Sequence, residues 1–157
     1  MDDFESRLPY RQGIIAEGYV EDVYNNAGLQ SIPSERGLNK KGDICHHQDM
    51  TYSEVKADLA LNKRTGLNSK NHFVEFMCNG TPSGIASTLA KRWVVVDRED
   101  AYFIYTKRLA GLLIGLSPVP STGAEGQNIQ GYLVKKKDIE AKSFLVMKGH
   151  GLIFPYE

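Results

Sequence analysis

Gly42-Asp43-Ile44-Cys45-His46-His47-Gln48-Asp49-Met50-Thr51-Tyr52-Ser53-Glu54-Val55-Lys56 decides how this chain is read. Residues 43–47 have the composition of a strand, 48–50 of a turn, and 51–59 of a returning strand. Side chains on a strand alternate between faces. Tyr52, Glu54 and Lys56 therefore share one face, and Thr51, Ser53 and Val55 the other. With Asp43 at the mouth of the neighbouring strand, two carboxylates and one ammonium converge on one patch.

That patch suits a particular chemistry. Paired carboxylates are hard oxygen ligands for Mg²⁺, which usually keeps several waters. Such a metal polarises a phosphoryl oxygen, acidifies a water or stabilises a leaving oxygen. A lysine beside it orients the attacking water or neutralises charge on the phosphorane. The combination points to phosphodiester hydrolysis.

Asp43-x10-Glu54-Val55-Lys56 resembles the signature of the PD-(D/E)XK nucleases, over roughly residues 13–105. That superfamily includes restriction enzymes, junction-resolving endonucleases, phage exonucleases and repair nucleases. Gly42 stands where the family motif has proline. The resemblance implies a restriction-endonuclease-like core and a small phage-type or junction-resolving endonuclease. It implies metal ligation at Asp43, Glu54 and Val55, with Asp43, Glu54 and Lys56 catalytic. Family members also carry a glutamate on a preceding helix. Glu21 is the first choice for that role and Glu17 the close second. The implied cofactor is Mg²⁺, with Mn²⁺ able to substitute. The implied partner is DNA, with RNA left open, and a homodimer would give two cuts.

The order of elements agrees: an α/β fold with a mixed, curved central sheet flanked by helices. The chain's 157 residues fit a single domain, 1–157, with a core over about 13–116 and a C-terminal extension over 117–157. Nineteen basic residues balance nineteen acidic ones, so any nucleic-acid surface must be local. Cys45 and Cys78 are too few for a disulfide scaffold and read as buried free thiols. No apolar run is long enough to span a bilayer. The acidic start at Met1-Asp2-Asp3 lacks a signal peptide's pattern. The expectation is a cytoplasmic setting, an infected host cell included.

Outward from the hairpin, residues 1–12 read as a polar lead-in and Gly13–Asn26 as an amphipathic helix stopped at Ala27-Gly28. Lys40 and Lys41, just before the hairpin, are candidate phosphate contacts or a solvated loop. So are Lys63, Arg64 and Lys70 in the polar loop 60–71, which is a substrate lid or a mobile loop. Adjacent His46 and His47 face opposite sides, poor geometry for one metal. A surface or hydrogen-bonded histidine is expected. His72–Cys78 reads as a strand whose Glu75 needs a partner: the metal cluster, a lysine or solvent. Ser83 is expected to cap a helix over Gly84–Lys91, with Lys91 either closing that helix or contacting nucleic acid. Trp93–Asp97 and Ala101–Tyr105 read as consecutive strands and Thr106–Leu116 as a covering helix. Residues 117–131 read as a long loop and 131–137 as a strand running into three lysines. Residues 138–147 read as a final helix or strand.

A second class of function fits the same residues. In a non-catalytic nucleic-acid-binding module, Asp43, Glu54 and Lys56 form a structural ion-pair network and Lys135–Lys137 contact phosphates. The two classes differ in metal binding and in what Lys56→Ala would do.

Overall fold

The computed structural model describes residues 7–33, 42–123 and 126–156. Among the described residues the chain is α/β, with three α-helices and two sheets. The first sheet has six strands: β1 (Ser31–Pro33), β2 (Ile44–His46), β3 (Thr51–Ala57), β6 (Arg92–Val96), β7 (Ala101–Tyr105) and β10 (Leu145–Met147), in that spatial order. It is mixed: β3 and β6 run parallel and every other neighbouring pair antiparallel. The second sheet is antiparallel, in the order β5 (Thr81–Pro82), β4 (Asn71–Cys78), β9 (Asn128–Lys135), β8 (Val119–Thr122).

β6 and β7 explain the layering. Trp93, Val94, Val95 and Val96 are all buried, as are Ala101, Tyr102, Phe103 and Ile104. A strand that is apolar on both faces must be covered on both. On one face lies α1 (Leu8–Asn26), whose Ala16, Val20 and Tyr24 pack with Val55, Val94, Val96 and Phe103. On the other lie the second sheet, α2 (Thr106–Leu112) and α3 (Lys136–Lys142). Val74, Val134, Leu109 and Ile139 pack there against Trp93, Val95, Tyr102 and Ile104. Glu54 pairs in register with Trp93 and Lys56 with Val95. The Glu54–Lys56 face of β3 is therefore the face the second sheet covers.

Several elements differ from the sequence reading. α1 begins at Leu8, because Pro9 is compatible with a first helical turn. Gly84–Ala86 is one 3-10 turn without a side-chain cap, not a helix to Lys91. Gly84 has φ +51, and a Cβ there would lie 2.2 Å from the Glu75 carbonyl oxygen. The turn lies flush on β4, and Gly84 is what permits the approach. α2 stops at Leu112 rather than Leu116. The Ser/Pro-rich loop contains β8, an edge strand where Pro120 is tolerated. Residues 136–147 hold both a helix and a strand, broken where Ser143 donates to Ile139 and Phe144 joins Phe103. Cys45 and Cys78 are free, and half-buried rather than buried. No helix among the described residues is long and apolar enough to cross a membrane.

Candidate active site

Gly42 makes the site's local geometry possible. Its φ is +125, and a Cβ would meet the Ser53 carbonyl oxygen at 2.9 Å. Proline, fixed near φ −65°, does not fit this backbone. Glycine at position 42 thus follows from how the chain enters β2. From Gly42 the chain sends the Asp43 N–H to Ser53 O at 2.8 Å. The Asp43 carboxylate Oδ2 then accepts the Val55 N–H at 2.7 Å. Asp43 is clamped to the strand that carries Glu54 and Lys56. Gly42→Ala should cost about 1–3 kcal/mol and Gly42→Pro more. Urea unfolding checks this, and proline at position 42 should disturb the Asp43 clamp.

Lys56 Nζ lies 2.8 Å from Glu54 Oε1, with the side chains 40% and 12% exposed. The ammonium also sits 5.6 Å from the Trp93 ring centroid. Asp43 is the costly member. Burial and then the Glu54 charge push its pKa up to about 6, and the Val55 N–H and Lys56 only partly counter them. Surrounding protein works against the Lys56 ammonium, but Glu54, Asp43 and Glu75 outweigh it and raise its pKa. Three acids thus act on one lysine, and full ionisation leaves surplus negative charge.

The structure brings together Asp43, Glu54, Lys56 and Glu75. Glu75 arrives on β4, from the sheet stacked over the hairpin, and its charge acts on Lys56. Val55 is 7% exposed with its side chain in the α1-facing core, so it can serve the site only through its main chain. Glu17 and Glu21 are half-buried on α1, the helix that covers the Ser53–Val55 face. Glu54 and Lys56 leave β3 on the opposite face. Lys63, Arg64 and Lys70 are exposed on one connection between β3 and β4. That connection is internally tied, with Asn62 N–H to Leu67 O and Ser69 N–H to Ala60 O. Lys91 is exposed at the other end of β3, its N–H donating to Tyr52 O. Lys40 and Lys41 lie outside the described residues.

Two buried polar networks were not anticipated. Ser31 donates to Leu29 O, which leaves His46 Nδ1 to donate to Ser31 Oγ at 2.9 Å. His46 Nε2 then accepts from Ser53 Oγ at 2.8 Å, and Tyr24 OH donates to Ser53 Oγ at 2.9 Å. Burial, then Arg92, lowers the His46 pKa to about 4, as a neutral imidazole with both nitrogens engaged requires. His46 is thus the hydrogen-bonded histidine of the pair, in the α1-facing core. The second network lies at the carboxyl ends of the parallel strands. Asp58 Oδ2 is 2.9 Å from His72 Nδ1 and 3.6 Å from Lys136 Nζ, which is 3.3 Å from Asp97 Oδ2. Burial opposes the Asp58 carboxylate, but His72 and Lys136 prevail and hold its pKa below the ordinary value.

The donor set at Asp43 and Glu54 fits Mg²⁺ in kind: two hard oxygens, one of them short of countercharge. No group of three or more His, Cys, Asp and Glu side chains spaced for a metal occurs among the described residues. Waters and a substrate oxygen would have to complete an octahedron. Comparison with protein-family models, curated proteins and solved structures returned no match.

Proposed function

We propose that this protein is a Mg²⁺-dependent nuclease hydrolysing DNA phosphodiester bonds, with Asp43, Glu54 and Lys56 as its working groups. The observation that carries the reading is the contrast between two aspartates. Asp58, in a structural network, is held below the usual carboxylate range. Asp43 is raised to about 6 despite a lysine nearby. An ion pair selected for stability does the first. Burial first, and then the like charge of Glu54, does the second, and carboxylates raised in this way cluster at sites that take a ligand. This weighs against the purely structural reading of the cluster.

Asp43 and Glu54 would hold the metal, which supplies charge neutralisation at the scissile phosphate and a more acidic water. The Val55 N–H fixes Asp43 so that one oxygen keeps its direction. Glu54 positions the nucleophilic water. Lys56, kept protonated by the three acids, donates to that water or to the phosphorane oxygens. The hairpin followed by a crossover to a parallel strand, with α1 on one face, supports a restriction-endonuclease-like core. An endonuclease, acting in the cytoplasm and as a homodimer making paired cuts, belongs to the same proposal.

The test is cleavage of labelled single-stranded, duplex and four-way-junction DNA with Mg²⁺, Mn²⁺ or EDTA. Cutting should require metal, and Lys56→Ala should lower the rate about 10²–10³-fold in chains that circular dichroism shows still folded. If no substrate is cut and Lys56→Ala only unfolds more easily, the cluster is structural.

A further inference from the structure

A cleft of about 610 Å³ opens where β3 and β6 end, and Lys70, Lys135, Lys136 and Lys137 line one wall of it. In sequence these lysines belong to two unrelated segments. In the fold they adjoin: Asn71 pairs with Lys135 across β4 and β9, and the Lys136 N–H donates to Lys70 O at 2.8 Å. The run of three is divided where β9 ends at Lys135 and α3 begins at Lys136. Lys136 turns inward, is 6% exposed, and is spent on Asp58 and Asp97. Lys70, Lys135 and Lys137 stay exposed, and no acid among the described residues pairs with any of them.

Of the three acids on the opposite wall, Asp97 and Asp100 are occupied, and Glu99 is exposed. Asp97 accepts the Glu99 and Asp100 N–H groups and faces Lys136. Asp100 accepts the Gly149 N–H and pairs with Lys148 at 3.6 Å. The unspent charge in the cleft is therefore mainly positive. Lys63 and Arg64 extend it along the tied connection that ends at Lys70.

The cleft is in line with the candidate active site. Glu54, Lys56 and Asp58 follow one another on the same face of β3. β4 passes over them, with Glu75 acting on Lys56 and His72 bonded to Asp58. Five residues of extended chain separate Glu75 from Lys70, roughly 17 Å at about 3.3–3.4 Å per residue. That is about five base-pair rises of one DNA strand.

We infer that this cleft holds the phosphodiester backbone of the substrate strand, with Lys70, Lys135 and Lys137 as phosphate contacts. The inference rests on the nuclease reading for the identity of its ligand. It explains how a chain with no net charge holds nucleic acid beside an acidic centre: the positive surface is local and one strand-length away. Such contacts carry no sequence information. They position the strand along β4 toward Lys56.

The experiment is fluorescence anisotropy of labelled 30-nucleotide single-stranded and 30-base-pair duplex DNA with the full chain in EDTA, at 50–200 mM salt. The variants are the triple Lys70→Ala/Lys135→Ala/Lys137→Ala, the corresponding triple arginine, and Lys107→Ala/Lys142→Ala as a control for exposed lysines elsewhere. Each is checked by circular dichroism and melting. The triple alanine should bind about tenfold or more weakly and lose about two to three units of salt slope. Arginine should restore both, and the control should change neither.

Wild-type affinity and slope in the triple alanine would overturn the inference. So would a mononucleotide competing as well as the 30-mer, which would make the cleft a small-molecule pocket, or failure of the wild-type chain to bind either DNA. The two readings fail separately. Metal-dependent cutting with an unchanged KM in the triple alanine leaves the nuclease and removes the track. Lysine-dependent binding without cutting in any metal leaves the track and removes the nuclease.

Discussion

Asp43→Asn should make this protein more stable while abolishing the cleavage activity proposed for it. In the folded state burial and Glu54 raise the Asp43 pKa to about 6; in the unfolded chain an aspartate titrates near 3.9. The folded state thus binds the proton more tightly. Its contribution is fully present below about pH 4 and lost as pH rises through 6. At pH 8 the ionised Asp43 costs about 2 kcal/mol, after allowance for its partial exposure. Asparagine removes that charge and keeps an oxygen to accept the Val55 N–H. Its amide can donate to Glu54.

Urea unfolding in EDTA should show the variant about 2 kcal/mol more stable at pH 8 and level with wild type at pH 4. Mg²⁺ should raise the melting temperature of the wild type, by binding only the folded state, and leave the variant unmoved. Cleavage should fall about 10³-fold or more, since the substitution removes a charge that acts on the transition state. A variant less stable at pH 8 would mean that Asp43 is a structural ion-pair member. Gains in stability on removing a group that works are the usual trade at active sites.

The opposite sign is expected at the other end of β3. Lys136→Met leaves Asp58 and Asp97 without their shared ammonium. Asp97 is 2% exposed and the Asp58 side chain 10%. Removing one partner of a buried ion pair costs about 3–5 kcal/mol, because the remaining charges stay buried and uncompensated. Urea unfolding at pH 7 measures the loss. It should shrink in the combined Lys136→Met/Asp97→Asn variant, which leaves one uncompensated acid rather than two. Equal losses in both would mean that packing of the lysine stem, rather than charge, is what matters. Lys135→Met, one residue away and exposed, should change stability by less than about 0.5 kcal/mol.

What the sequence disclosed follows from the range over which each signal acts. The hairpin at 44–57 was legible because alternation and turn residues are local. That placed Glu54 and Lys56 on one face, with Asp43 at the strand mouth. β6 and β7 were legible as apolar runs. The stacking of a second sheet was not, because nothing in His72–Cys78 says which neighbours it chooses. Glu75 was recognised as an acid in need of a partner, and only the stacking shows that its charge acts on Lys56. The Lys135–Lys137 run read as a strand running into three lysines, yet β9 ends at Lys135 and the start of α3 turns Lys136 inward. The Asp58–His72–Asp97–Lys136 network joins four segments, so no window along the chain contains it. His46 was hidden by its neighbour His47: two histidines side by side hide which of them faces the core.

The lysine that closes the parallel strands is 39 residues beyond the second aspartate it serves, Asp97. Near the end of the chain, β10 pairs with β7, Phe154 enters the α1 core, and the Pro155 carbonyl receives Gln12. A ribosome adding about 5–20 residues per second takes roughly two to eight seconds to go from residue 97 to residue 136. Through that interval Asp58 and Asp97 are best left hydrated, and the hairpin has no complete layer to rest on. Asp58 and Asp97 thus gain their shared ammonium only after both parallel strands have been made, whereas Asp43 and Glu54, joined within one hairpin, can meet long before.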